Sequence, residues 1–136
     1  MNKQEIIKEY NMFLKKYNLM PCDFILGAGG ACLMHGIRTE TGDMDMDVSS
    51  YFFNTLLSTN KYKTHYFGNV LVLEYSSKID LHANTKHHET IIIEGVCCYS
   101  ANELLAQKLR LNRPKDQADI IALKEIIYKT KGKDHG

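Results

Sequence analysis

The sequence predicts an α+β domain: a mixed β-sheet flanked by helices and closed by two C-terminal helices. Three observations carry that prediction. Helical and strand periodicities alternate along most of the chain. Stretches such as "DMDMDV" place apolar residues on one face only, as half-buried strands do. Residues 100 to 129 then read as helix alone, "SANELLAQKLRLN" followed by "RPKDQADIIALKEIIYK".

Each element has its own justification. Ile6, Ile7, Tyr10, Phe13 and Leu14 recur at helical spacing, so residues 3 to 18 are expected to form an amphipathic helix. "DFILGAGG" reads as a short buried strand running into a glycine turn, and "ACLMHGI" as a short helix stopped near Gly36. "DMDMDVSS" is a strand and "YFFNTLLST" a helix. "YKTHYFGNVLVLEYSSKIDLHA" turns at Phe67-Gly68-Asn69 and supplies two or three strands, the last holding "KIDLH". "TIIIEGVCCYS" adds one or two more. Ser100 and Glu103 have capping-box spacing for the first closing helix, and Pro114 suits the first turn of the second. The tail "TKGKDHG" reads as frayed.

Composition narrows the function classes. With 136 residues, a formal net charge of +1 and 44% apolar residues, residues 1–136 are expected to be a single ordinary globular domain. The near-balance of charge argues against a generally basic nucleic-acid binder, though Arg110, Arg113 and Lys115 form a local basic cluster that suits a polyanion such as RNA. The amphipathic start lacks the apolar run of a signal peptide, and no segment is built to span a bilayer. Cys22, Cys32, Cys97 and Cys98 show no zinc spacing and read as reduced thiols, so a cytoplasmic location without membrane contact is expected. His82, His87 and His88 likewise lack spaced Cys or His partners for zinc, although His82 stands two residues beyond Asp80, where it could assist proton transfer.

The chemistry concentrates in "GAGGACLMHGIRTETGDMDMDVSS". A dinucleotide fingerprint on its glycines would need Gly or Ala where Cys32 stands, and a P-loop would need Lys followed by Ser or Thr after Gly30. Two readings remain: a plain helix-entry turn, or glycines that admit a triphosphate whose metals sit on the aspartates that follow. Asp43, Asp45 and Asp47 open like a calcium loop, but Val48 and Asn54 replace its required Gly and Glu. Carboxylates at alternate residues on one strand face repel unless a cation lies between them. Two such groups can share magnesium with substrate phosphates, and Asp80, flanked by Ile79 and Leu81, is the candidate third ligand from a neighbouring strand.

Taken in order, Gly29-Gly30, Arg38, Thr41-Gly42-Asp43-Met44-Asp45 and Ile79-Asp80-Leu81 resemble the nucleotidyltransferase superfamily related to DNA polymerase β. The resemblance is to its small members, the lincosamide, aminoglycoside and toxin-type transferases. "LLAQKLRLNRPKDQADIIAL" matches their closing helices. The resemblance implies a nucleotidyltransferase core, two Mg²⁺ ions (with Mn²⁺ as a substitute), an NTP donor with ATP the default, and transfer of a nucleoside monophosphate to a hydroxyl on a small molecule, RNA or protein. It assigns Gly29 and Gly30 to the phosphates, Asp43, Asp45 and Asp80 to metal and catalysis, and Arg38 and Lys108 to the triphosphate. The pair Asp45 and Asp47 has the same spacing as Asp43 and Asp45; Thr41 two residues ahead favours the latter. Relatives often add an acceptor-binding helical domain for which this chain has little room. The acceptor site is therefore expected to be shared across a homodimer, with part of the apolar second closing helix as interface, or to be absent. The alternative reading is a non-catalytic nucleotide- or partner-binding module, antitoxin-like or regulatory.

Overall fold

The computed structural model of the chain describes residues 1–84 and 88–134. Its first helix, α1 (Lys3–Tyr17), starts at a reciprocal cap: the Glu5 N–H donates to Asn2 Oδ1 at 2.9 Å, and the Asn2 N–H returns to Glu5 Oε1 at 3.2 Å. Its buried face, Ile6, Tyr10 and Phe13, packs on β1 (Phe24–Gly27), with Phe13 stacked on Phe24 at 4.0 Å between centroids. The Tyr10 hydroxyl lies 2.7 Å from Pro21 O and 2.5 Å from Phe24 O, and it accepts the Cys97 N–H at 3.2 Å.

Strand β1 passes straight into α2 (Ala28–Met34). The expected glycine turn is absent: Gly29 and Gly30 lie in the first turn of the helix. The change of direction falls on Ala28, at φ 48°. A side chain at Gly29 would meet Thr41 Oγ1 at 2.7 Å, and one at Gly30 would meet Leu26 Cδ1 at 2.7 Å. Close packing, rather than a turn, is what calls for glycine at both.

The remaining elements are β2 (Met44–Ser49), α3 (Ser50–Leu57), β3 (Lys63–Phe67), β4 (Val70–Glu74), β5 (Ile79–Asn84), β6 (Thr90–Ile93), β7 (Val96–Tyr99), α4 (Ala101–Leu111) and α5 (Gln117–Asp134). Ser49 caps α3 and Ser100 caps α4. The Glu103 carboxylate does not complete a box; it pairs with His88 at 2.7 Å. Pro114 opens a 3₁₀ turn, Pro114–Asp116, that leads into α5, and the tail read as frayed is helical as far as Asp134. Helix α5 buries Ile120 and Leu123 within the chain and leaves Ile121 exposed.

All seven strands form one mixed sheet in the order β3-β4-β5-β2-β1-β7-β6. Strand β2 is antiparallel to β1 and parallel to β5. Along β2, Met44, Met46 and Val48 are buried, while Asp45 and Asp47 face the other way. Ile79 and Leu81 of β5 repeat the pattern around Asp80. The two apolar rows meet in register and enter a single core with Leu26, Leu33, Leu73 and Leu104. Among the described residues, no helix is long and apolar enough to cross a membrane.

Candidate active site

The polar face of the sheet is read off its register. Asp45 lies opposite Asp80, and Asp80 opposite Glu74; Asp47 lies opposite His82, and His82 opposite Val72. On the other side of β2, Gly27 lies opposite Asp45. Directly opposed residues share a face, so a row of carboxylates runs across β2 and β5 beside a residue with no side chain. A cleft of about 720 Å³ opens over this face, lined by Gly27, Ala28, Gly29, Arg38, Thr41, Asp43, Asp45, Asp80 and Lys108 among others.

Every site residue expected from the sequence lines this cleft except Gly30, which is buried against Leu26. The aspartates differ from one another in their surroundings. Asp47 accepts the Tyr99 hydroxyl and lies 3.5 Å from His82 Nδ1. Among the described residues, no hydrogen bond or ion pair compensates the carboxylates of Asp43, Asp45 or Asp80. Burial lifts the pKa of Asp45; His82 opposes the lift, and Asp80, Asp43 and Asp47 add to it. Burial, then Asp43, lifts Asp80. For His82, burial resists protonation, but Asp47, with Asp45 and Asp80 behind it, outweighs burial and raises the pKa. Burial and the Asp47 charge push the Tyr99 phenol upward, so it stays a proton donor.

The cations of the cleft are held in place. Arg38 forks onto Asp119, with Nε to Oδ1 at 3.2 Å and Nη2 to Oδ2. Lys108, only 6% exposed, reaches Asp119 at 3.2 Å and Asp116 at 3.5 Å. Arg113 closes on Asp116 through Nε at 2.8 Å and Nη2 at 3.0 Å. The Arg113 bonds are the main reason that the Asp116 carboxyl falls to about 2. At Asp119 burial raises the pKa, and bonds from Arg38 and Lys108 bring the net shift below the usual carboxylate range. Lys115 adds a further positive group to the cleft wall, so two members of the basic cluster face into it.

The sequence reading missed this carboxylate scaffold, the Tyr99–Asp47–His82 chain and the place of Gly27. It could have noted Asp116 and Asp119, spaced to share one helix face. Arg38, the partner of Asp119, lies too far away along the chain to be inferred. His88 contacts Glu103 and meets Tyr99 edge-on at 5.4 Å, while His87 lies outside the described residues.

The donor set suits a hard cation. Among the described residues, no three His, Cys, Asp or Glu side chains close round a point as a protein-only cage would. Magnesium does not need one, because it binds through one or two carboxylates together with water and substrate phosphate. Uncompensated carboxylates on adjacent strands, open to a cleft whose far wall is cationic, match that requirement.

No protein-family model matches the sequence, and no curated protein matches it. Among solved structures, the chain is similar to the aminoglycoside nucleotidyltransferase in the crystal structure of ANT(2")-Ia in complex with adenylyl-2"-tobramycin, with a TM-score of 0.55 and 11% sequence identity. The likeness covers 88% of this chain and 85% of that one. At such low identity it is a likeness of fold. Together with the mixed sheet and its closing helices, it shows that this chain has a nucleotidyltransferase-like fold.

Proposed function

We propose that the protein is a Mg²⁺-dependent nucleotidyltransferase that moves a nucleoside monophosphate from an NTP, by default ATP, to an acceptor hydroxyl. The observation that carries the reading is the row of uncompensated carboxylates facing a wall of pre-oriented cations across one cleft. Asp43, Asp45 and Asp80 would hold the metal. The paired state of Asp47 supports this register over one that uses Asp45 and Asp47. When bound, two magnesium ions supply charge neutralisation at the transferred phosphoryl group and at the leaving group.

The chain's own residues do the rest. Gly27, Ala28 and Gly29 leave space for the phosphates beside Asp45, and Arg38, Lys108 and Lys115 oppose their charge. Helix α2 has only seven residues, so these side chains, more than its dipole, set the local potential. The acceptor oxygen attacks the α-phosphorus while the bond to the β-phosphate breaks and pyrophosphate leaves. Asp80, which faces the cleft on β5 opposite Asp45, is placed to take the hydroxyl proton. Holding the two reactants in line accounts for much of the expected acceleration.

The test is to incubate the protein with each labelled NTP and Mg²⁺, then follow label onto the protein itself, RNA and small hydroxyl compounds. Transfer that disappears in Asp45→Asn supports the reading. Nucleotide binding without transfer to any of them would leave the non-catalytic module instead.

A further inference from the structure

The geometry points to an acceptor that docks on the β3–β4 hairpin and is a small, neutral hydroxyl compound carrying a planar ring, with Phe67 and His65 as its specificity-determining residues. This inference rests on the transfer reaction proposed above.

The cleft has two chemically distinct arms with the aspartates between them. One arm is the cationic wall of Arg38, Lys108 and Lys115. In the other, the sheet register continues past the carboxylates to the edge of the molecule. His82 lies opposite Val72 and Val72 opposite His65, while Phe67 lies opposite Val70. Residues two apart on a strand share a face, so Phe67 stands beside His65 on the same floor as Asp80. His65, Phe67 and Val72 line the cleft. Phe67 is 58% exposed and Val70 48%, so the fold leaves an aromatic and aliphatic platform open beside the reacting groups.

The charges of this arm select the acceptor class. An amine-rich acceptor calls for free carboxylates along its path. On the hairpin itself the carboxylate present, Glu74, bonds His65 Nδ1 at 3.1 Å and stands opposite Lys63 on the edge strand, while Asp80 beyond it belongs to the proposed metal set. An aromatic face next to an imidazole instead suits the stacking of a planar ring. The donor's own base has a separate wall: Gln107 and Leu111, one helical turn apart on α4, line the cationic arm beside Lys108. The hairpin is thereby left to the second substrate, which would approach the α-phosphorus from the side opposite the cations.

The experiment loads the full chain with a non-hydrolysable ATP analogue and Mg²⁺, then measures binding of p-nitrophenyl glucoside, uridine and tobramycin by calorimetry. At least one ring compound is expected to bind more tightly than the polycationic tobramycin. Phe67→Ala and His65→Ala should each weaken it, the first by about tenfold for loss of a stacked ring, without changing analogue affinity. Both side chains are exposed enough that the variants should fold. Tighter binding of tobramycin, no binding of either ring compound, or unchanged ring binding in Phe67→Ala would overturn the inference. So would a loss of analogue affinity in Phe67→Ala, which would make the hairpin the base site. These four results leave the transfer reading standing. A wild-type protein that binds no nucleotide overturns both.

Discussion

Asp45 and Asp47 share a strand face, yet only Asp47 has its charge compensated by the chain itself, through Tyr99 and His82. Replacing Asp45 or Asp80 by Asn removes a like charge from a crowded row, so the metal-free protein should be as stable as wild type or gain up to about 1 kcal/mol. Metal-dependent transfer should vanish in both. Asp47→Asn should do the reverse, retaining most transfer while losing about 1 kcal/mol with its bonds to Tyr99 and His82. Urea midpoints read beside transfer rates separate the two patterns; an Asp47→Asn protein that is stable and dead would move the site by two residues. Asp119→Ala should be harsher, since it strips Lys108 to one distant carboxylate and frees Arg38. A loss of about 3 kcal/mol is expected, as for breaking a buried ion pair, together with weaker nucleotide binding by calorimetry. The aspartates themselves were legible because alternation reports which way a side chain faces. The choice between Asp43 with Asp45 and Asp45 with Asp47 rested on Thr41 and the resemblance alone, because alternation is the same at Asp45 and Asp47; the pairing that sets Asp47 apart arrives with β7 and β5.

At the scale of elements, the strands and the closing helices follow from period and punctuation, and the structure departs mainly where packing overrides local preference. The double glycine reads as a turn because glycine disfavours a helix by roughly 1 kcal/mol relative to alanine. Here that preference yields to the close approach of Arg38 and Thr41 on one side and Leu26 on the other. Tyr10 shows how the layers are tied, because one hydroxyl joins α1 to the loop before β1, to β1 and to β7. Tyr10→Phe keeps the packed ring and leaves the Cys97 N–H without its acceptor. A loss of about 1–3 kcal/mol is expected, with nucleotide affinity unchanged. Altered nucleotide affinity in that variant would show that α1 positions the cleft as well as supporting it.

For the whole molecule, acid and ligand act on separate parts. The Asp116 pKa is depressed to about 2 in the fold, against roughly 3.9 for an unfolded aspartate. Its stabilisation is therefore complete above the unfolded value and drains away as pH falls through the folded one. Asp45 and Asp80 are shifted upward, so their contribution has the opposite sign and grows as they protonate. Urea midpoints followed from pH 6 downward should fall below about pH 4, and Asp116→Asn should flatten that fall. At neutral pH, Mg²⁺ with ATP should raise the melting temperature, by the equivalent of about 2.7 kcal/mol at a hundredfold excess over Kd. ATP with a chelator should not, because bare carboxylates repel a triphosphate; an equal shift in both would remove the metal from the model of binding. The parallel pairing of β2 with β5 has one more result. A slip of one residue would turn Met44 and Met46 outward and sink the aspartates into the core. Burying those charges would cost several kcal/mol each, a large share of the stability of any domain. Folding thus proofreads the site. A refolded preparation should divide into molecules with an assembled cleft and molecules not folded at all, with no well-folded but misaligned population between them.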